Sequence, residues 1–282
     1  MKKIYKALAY EITEPRLFGI FHLTFASIIG FLTTIVCKKH TRCSERTERR
    51  ISLYAWLMFV FLEAIKQFLE AFYINDLGEL AFDYGWAHFP FQFCSAPLYV
   101  LPLIVFLPSG RLRESVAAFY STYVLAAGLG VCIYPGTAFE STLFINVQTM
   151  LWHGTQVILG VFYTARRFYG KDKNNTGKYF LSGMPHFAVM LTAALILNEV
   201  VHAYLIATGN GSKFNMFYIS PYYESIFPIV PTLIESFPYF VTVIAYILVF
   251  TLFAYLVYQI ELFFIRRIEK RAERGTKSAK EE

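Results

Sequence analysis

Cys94 and His153 are two residues whose side chains could act together in nucleophilic chemistry. Cys94 lies in Pro-Phe-Gln-Phe-Cys-Ser-Ala-Pro (90–97), and His153 lies in Met-Leu-Trp-His-Gly-Thr-Gln (150–156). A thiolate attacks carbonyl carbons, and a histidine within hydrogen-bond reach can take the thiol proton. We therefore predict a Cys/His dyad whose reacting atoms lie within about 4 Å or are joined by one water molecule or head group.

The position of Cys94 favours this dyad, although another pairing is open. Cys94 lies at the N-terminal end of an apolar stretch, where the N–H groups in the first turn of a helix would favour a thiolate, although burial in hydrocarbon would disfavour it. Gly154, beside His153, would let two helices approach closely. Cys132 is predicted near the same membrane surface, so a disulfide from Cys94 to Cys132 is the alternative, with His153 as a buried hydrogen-bond partner.

The composition places these residues in a membrane protein. Apolar residues make up 56% of the 282 residues and charged residues 16%, and the chain contains 29 Phe and 20 Tyr. Soluble chains average about 45–50% apolar and about 25% charged residues. The 4 scattered cysteines form no CxxC pair, which argues against a zinc ribbon or a disulfide-rich secreted scaffold. We therefore predict an all-α polytopic membrane protein.

Seven apolar stretches are long enough to be transmembrane helices, since a span needs about 20 mostly apolar residues. They cover residues 18–37, 51–73, 91–107, 116–134, 147–168, 179–208 and 238–264. The predicted organisation is an N-terminal arm (1–17), a seven-helix transmembrane bundle (18–264) and a basic cytoplasmic tail (265–282).

The distribution of basic residues predicts the orientation of the bundle. Twenty Lys and Arg residues lie on one side, at 38–50, 108–115, 166–178 and 265–282. The opposite loops contain one, Lys213, in the segments 74–90, 135–146 and 209–237. Because cytoplasmic loops are enriched in Lys and Arg, we predict an external N-terminus and a cytoplasmic C-terminus. An amphipathic arm on the outer surface would account for the basic residues before the first span.

Other polar and ionisable residues lie inside the predicted spans, where charge is costly and often functional. They are His22, Glu63, Lys66, Glu70, His186, Asn198, Glu199 and His202. Glu63, Lys66 and Glu70 are spaced for an intrahelical ion pair, so structural and functional roles are both open. We predict structural hydrogen bonds for His22 and His186. The polar group on the sixth span is equally compatible with a structural role and with a lined cavity.

Most of these side chains are predicted to lie in the outer half of the bundle. At about 1.5 Å of rise per residue, only His186 falls in the inner half. A water- or lipid-filled cavity would reduce the cost of burying them. We predict that this cavity opens outward, that the cytoplasmic half is packed with Phe, Leu, Ile and Val, and that the cavity is lined by Cys94, His153, Glu199 and His202 with Glu63 or Lys66 at its floor.

Four short motifs follow one another along the chain. They are Pro-Phe-Gln-Phe-Cys-Ser at 90–95, His-Gly at 153–154, Asn-Met-Phe at 215–217 before Pro221, and Phe-Pro-Tyr at 237–239. In order and spacing they resemble the YwaF-like family of bacterial integral membrane proteins and its eukaryotic relative, transmembrane protein 164. Gln92 stands where many bacterial members carry a histidine, as in the eukaryotic relative, and the family's Gly-Pro-Trp-Pro is only partly matched.

The resemblance spans most of the third to seventh predicted helices. It implies a seven-helix bundle and, from the eukaryotic relative, a Cys/His acyltransferase acting on phospholipids. Carried over by position, Cys94 would be the nucleophile and His153 its base.

The leading hypothesis is a membrane-embedded lipid acyltransferase or acyl hydrolase that forms a thioester on Cys94. Its substrates would be phospholipids of a bacterial cell membrane, and no nucleic-acid partner, cofactor or metal is predicted. The candidate donors to the oxyanion are the side chains of Gln92, Ser95 and Gln156 and the free N–H groups at the start of the third span. The residues that would orient the imidazole or line the substrate pocket are Asn198, Glu199 and His202.

Two other classes of protein are alternatives. A transporter or receptor without catalytic chemistry would use Glu63, Lys66 and Glu70 as an ion or proton path. A metal-dependent hydrolase would bind its metal through residues such as His88, His153, Glu199 and His202. Such enzymes are expected to carry paired histidines at helical spacing, and the chain contains no HxxxH pair.

Overall fold

The computed structural model is an all-α bundle, described for residues 1–39, 43–136, 138–169, 174–227 and 229–281. Arg42, Lys171 and Lys173, which contributed to the predicted orientation, lie outside these ranges. The strands β1 (Phe72–Ile74) and β2 (Leu80–Phe82) form an antiparallel hairpin. The helices are α1 (Lys2–Leu8), α2 (Ile20–Lys39), α3 (Glu45–Ala71), α4 (Pro97–Phe106), α5 (Arg111–Phe119), α6 (Leu125–Ile133), α7 (Leu143–Phe168), α8 (Thr176–Thr208), α9 (Ile229–Ser236) and α10 (Tyr239–Glu281).

Within the described ranges, five helices are long and apolar enough to cross a membrane. They are Ile20–Lys38, Glu45–Ala71, Arg111–Ile133, Thr176–Thr208 and Tyr239–Ala272. The third of these is continuous because a π-helical segment, Tyr120–Val124, joins α5 to α6. The third predicted span corresponds to a shorter apolar helix, Phe93–Phe106.

Helix α7, the fifth predicted span, is a central helix with a mixed composition. It packs against α2, α3 and α6, and most of its residues are buried. The buried polar side chains include Gln148, Thr149, His153 and Gln156. Because protein groups surround α7, these side chains can find partners that lipid would not offer. This helix therefore places polar chemistry inside the bundle.

The N-terminal arm is a short helix followed by an extended segment. The ring centroids of Tyr5, on α1, and Phe68 are 6.0 Å apart, and Glu11 forms an isolated antiparallel bridge with Thr142. The arm therefore lies at the end of the bundle that carries the β-hairpin. We call this the hairpin end.

The opposite end of the bundle, which carries the basic loops, contains a buried ion cluster. Glu48 is only 5% exposed; it accepts a hydrogen bond from Arg113 Nη2 at 2.6 Å and another from Arg166 Nε. Glu261 is also buried. The half that was predicted to be packed with Phe, Leu, Ile and Val does bury such residues, among them Ile104, Phe162 and Leu262. It also encloses this ion cluster, because Arg113 and Arg166 turn inward to neutralise Glu48.

His22 and His186 make structural hydrogen bonds, as predicted. His22 Nε2 lies 2.8 Å from the carbonyl oxygen of Cys132, and its Nδ1 accepts from the Phe18 N–H at 3.1 Å. His186 Nε2 lies 2.8 Å from Ser115 Oγ. Both histidines therefore tie helices to their neighbours.

Helices α8 and α5 are in close backbone contact at Gly183. A Cβ atom at this position would lie 2.8 Å from the Phe119 nitrogen and 3.0 Å from its Cα. Because these are backbone atoms, they cannot move aside without a shift of the helix.

Replacing Gly183 with alanine is expected to lower the melting temperature of the purified protein in detergent, because overpacking of a core costs about 1–3 kcal/mol. Gly177→Ala is the matched control on the same helix, since no atom lies within 4 Å of a Cβ there. Thermal unfolding of both variants measures the difference. Equal melting temperatures would contradict the close contact between α5 and α8.

Candidate active site

A cavity of about 400 Å³ at the hairpin end contains both Cys94 and His153 in its wall. Residues from α3, from α7 and from the three loops at this end complete the wall. Its other polar side chains include Glu63, Lys66, Glu70, His88, Gln92, Ser95, Glu140, Gln148, Thr149, Lys213, Asn215, Tyr218, Tyr223 and Glu224. The fold therefore brings the two residues of the predicted dyad to one chamber, whose wall also contains apolar side chains such as Phe89, Ile145 and Trp152.

Helix α7 holds the backbone of Cys94 in place. The carbonyl oxygen of Cys94 accepts hydrogen bonds from Trp152 Nε1 at 2.8 Å and from Gln156 Nε2 at 2.5 Å. Cys94 lies in a 3₁₀ turn, Phe93–Ser95, and α4 begins at Pro97. Cys94 therefore lies in the first turn of the apolar helix Phe93–Phe106, as predicted; that turn is 3₁₀, and the α-helical part begins at Pro97, where proline is well tolerated.

The imidazole of His153 is fixed in one orientation. Nδ1 lies 2.7 Å from the carbonyl oxygen of Thr149, so the N–H of Nδ1 donates there and Nε2 keeps its lone pair. Nε2 is buried and has no hydrogen-bond partner among the described residues. This is the tautomer that a general base requires.

The reacting atoms of the predicted dyad do not form a direct hydrogen bond in this structure, since His153 Nε2 is unpartnered among the described residues. Catalytic hydrogen bonds are often long before substrate binds and tighten in the complex. Cys94 and Cys132 are both free thiols. The alternative disulfide between them is therefore not formed.

Gln92 and Gln156 act as supports for the backbone of the site. Gln92 Nε2 donates to the Asn215 carbonyl oxygen at 2.8 Å, and Gln92 Oε1 accepts from the Phe217 N–H at 2.9 Å. Gln156 donates to the Cys94 carbonyl oxygen, as described above. Ser95 lines the cavity. Of the three predicted oxyanion donors, two are therefore committed to holding the chain around Cys94.

The loop of residues 209–227, which we call the covering loop, is fastened by two asparagines. Asn198 Nδ2 donates to the Met216 carbonyl oxygen at 3.0 Å, and Asn198 Oδ1 accepts from the Met216 N–H at 2.7 Å. Asn215 Nδ2 donates to the Glu224 carbonyl oxygen at 2.9 Å, and its Oδ1 accepts from the Ser220 N–H. The predicted role of Asn198 in orienting an imidazole is therefore wrong, because both ends of its amide bind backbone.

Glu199 and His202 are absent from the cavity wall formed by the described residues, so their predicted place in the pocket is wrong. Glu199 is exposed and accepts a hydrogen bond from the Tyr222 hydroxyl at 2.7 Å. The ring of His202 stacks on that of Tyr222, with the ring centroids 3.7 Å apart. His202 Nδ1 lies within hydrogen-bond distance of the Tyr223 hydroxyl, at 3.1 Å. One residue of helix rotates a side chain by about 100°, so the face of α8 that buries Asn198 turns Glu199 outward.

Charged residues of α3 and of the loops line the same cavity. Glu63 and Lys66, which were predicted at its floor, are in the wall, and Glu63 accepts from Gln67 Nε2 at 2.7 Å. The loop residues with charged or titratable side chains were not predicted as part of the pocket. They are His88, Glu140, Lys213 and Glu224. In the sequence, His88 was considered only as a possible metal ligand, and the loop charges were used only to predict orientation.

The pKa values of two loop residues in the wall are shifted toward the neutral forms. Burial and the nearby Lys66 lower the pKa of His88, while burial and the nearby Glu70 raise the pKa of Glu140. His88 Nε2 lies 3.3 Å from Glu70 Oε2. Both shifts follow from burial of the charged form together with the charge of a neighbouring side chain.

The cavity wall thus combines a free thiol, an imidazole whose buried Nε2 has no hydrogen-bond partner among the described residues, and a mixture of polar and apolar side chains. Among the described residues, no group of three or more His, Cys, Asp and Glu side chains could hold a metal ion. Comparison of the chain with family models, curated proteins and solved structures finds no match. The arrangement of side chains in the cavity is therefore the basis for assigning a function.

Proposed function

We propose that this protein is a membrane-embedded acyltransferase or acyl hydrolase that uses Cys94 as nucleophile and His153 as base on a phospholipid ester. The observation that carries the proposal is the unpartnered Nε2 of His153 in the wall of the cavity that also contains the free Cys94 thiol. A buried nitrogen normally has a hydrogen-bond partner. An unpartnered nitrogen in a cavity wall can accept a proton from a substrate or a neighbouring side chain, as a general base must.

The proposed reaction begins with transfer of the thiol proton from Cys94 to His153 Nε2. The sulfur attacks the ester carbonyl carbon, and the carbonyl oxygen becomes an oxyanion. Collapse of this intermediate breaks the carbon–oxygen ester bond, and the leaving alkoxide takes the proton from His153. The acyl chain is then a thioester on Cys94, which water or a lipid hydroxyl cleaves with His153 again acting as base.

The proposal includes a topology for the bundle. Helix α7 and the shorter helix Phe93–Phe106 would complete seven spans, with the hairpin end outside and the C-terminus in the cytoplasm of a bacterial cell. The loop charges support this orientation. The ester of an outer-leaflet phospholipid would then reach the cavity from the side of the hairpin end.

Labelling of the full-length protein in membranes with an alkyne-tagged acyl probe tests the proposed nucleophile. We expect wild type to become acylated through a hydroxylamine-sensitive thioester and Cys94→Ala to lose at least nine-tenths of the label, about the loss expected for a missing nucleophile. Cys132→Ala, which removes a free thiol outside the cavity wall, is the control that keeps its label. Equal labelling of Cys94→Ala and wild type would refute the proposal.

A transporter or receptor is the second candidate, and the charged cavity favours it. Glu63, Lys66, Glu70 and Glu140 line one chamber, and intramembrane charges of this kind occur in ion and proton paths. Such a protein would not form a thioester on Cys94. The same labelling experiment therefore separates the two candidates.

A further inference from the structure

The covering loop contains two consecutive residues in the left-handed region of backbone conformation. Phe217 has φ = 59° and Tyr218 has φ = 53°. Residues with bulky side chains rarely adopt positive φ, and such residues cluster at functional sites when the surrounding structure enforces them.

Hydrogen bonds from four directions enforce this conformation. Gln92 binds the Phe217 N–H, and the Tyr246 hydroxyl donates to the Phe217 carbonyl oxygen at 2.9 Å. Asn198 fixes the preceding residue, Met216, through both of its backbone groups. The Tyr218 N–H donates to the Asn215 carbonyl oxygen. The direction of the Tyr218 side chain is therefore set by the loop and not by contacts of its hydroxyl.

The Tyr218 side chain lines the cavity, and its hydroxyl makes no hydrogen bond with the described residues. The other tyrosine in the wall, Tyr223, has its hydroxyl engaged with His202. Burial, with a smaller effect of the nearby Cys94, raises the pKa of Tyr218 to about 12. The phenol thus remains a hydrogen-bond donor at neutral pH.

We propose that the Tyr218 hydroxyl donates the hydrogen bond that stabilises the oxyanion formed when Cys94 attacks an ester. This inference rests on the proposed function and names a catalytic residue for it. In the step concerned, the new sulfur–carbon bond pushes the carbonyl π electrons onto oxygen, and the thiol proton goes to His153. The Tyr218 hydroxyl keeps its proton and donates a hydrogen bond to the oxyanion. When the carbon–oxygen ester bond breaks, the oxyanion becomes the carbonyl oxygen of the thioester, and the hydrogen bond to it weakens.

Two reactions of the same thiol separate an oxyanion donor from a residue that only shapes the site. A p-nitrophenyl ester acylates Cys94 through a tetrahedral oxyanion, whereas iodoacetamide alkylates it by direct displacement without one. Removal of one oxyanion donor typically slows acyl transfer by about 10²–10³-fold. We expect Tyr218→Phe to lose that factor in p-nitrophenolate release and to keep the wild-type rate of alkylation.

The experiment uses full-length protein in detergent, with the rates compared in wild type, Tyr218→Phe and Tyr222→Phe. Tyr222 is the matched control because its hydroxyl binds Glu199 outside the cavity wall. Unchanged acylation in Tyr218→Phe would overturn the inference and leave the proposed function standing. A parallel loss of acylation and alkylation would also overturn it, since Tyr218 would then only position Cys94. Absence of Cys94-dependent acylation in wild type would overturn both.

Discussion

Replacing His153 with asparagine is expected to slow acylation of Cys94 by about 10²–10⁴-fold at neutral pH, the range for loss of a general base. The asparagine amide can keep the N–H donation to the Thr149 carbonyl oxygen, so the helix should be little disturbed. What is lost is Nε2, the acceptor of the thiol proton. The rate of p-nitrophenolate release from an ester, measured against pH, checks this expectation.

The pH profile distinguishes a base from a structural residue. In His153→Asn the thiolate must form by ionisation into solvent, so the rate is expected to climb with pH and to approach that of wild type at high pH. His186→Asn is the matched control, since His186 binds Ser115 away from the cavity and its loss should leave the rate unchanged. A reduced rate that stays flat with pH would contradict the role of His153 as base.

Replacing Glu48 with glutamine is expected to produce the largest loss of stability. Glu48 is the shared partner of Arg113 and Arg166, and breaking a buried ion pair leaves an uncompensated charge at a cost of about 3–5 kcal/mol. The melting temperature in detergent should fall well below that of wild type. Thermal unfolding followed by circular dichroism, at equal detergent and lipid content, measures the difference between the variant and wild type.

Glu45→Gln is the matched control for this stability measurement. Glu45 pairs with Arg49 at 2.7 Å, but its side chain is 39% exposed, and pairs of that kind contribute about 0–1 kcal/mol. We therefore expect a small shift for Glu45→Gln and a large one for Glu48→Gln. Similar shifts for the two variants would show that the buried ion pairs of Glu48 contribute no more to stability than the exposed pair of Glu45.

The helical class and most helix positions could be predicted because apolar length dominates them. The stretches 18–37, 51–73 and 179–208 correspond to α2, α3 and α8 with ends shifted by several residues. The extra turns belong to polar helix ends, such as the one capped by Ser44, whose side chain accepts from the Thr47 N–H. Hydropathy does not register these turns because they are not apolar.

The contents of the cavity were predictable only in part. The positions of Glu63, Lys66 and His153 follow from the depth of each residue in its own helix, which needs only the rise per residue. Glu199 and Asn198 have nearly the same depth, and only the rotation of α8 about its axis separates them. That rotation is decided by packing against the covering loop, a long-range contact that no local pattern encodes.

The covering loop itself is the largest feature that the sequence did not predict. Its low content of basic residues was used to predict orientation, which treats it as a connecting loop exposed to solvent. Instead Asn215 and Asn198 fold it back over the bundle. Single asparagines carry no pattern from which such a fold could be read.

The attachment of Cys94 to α7 links the movement of the nucleophile to that of its base. Trp152, His153 and Gln156 lie within about one turn of one helix, and two of them grip the carbonyl group of Cys94. A tilt of α7 would therefore move the His153 side chain and the backbone of Cys94 together. The covering loop would follow the same movement, since Gln92, two residues before Cys94, binds both Asn215 and Phe217 of that loop.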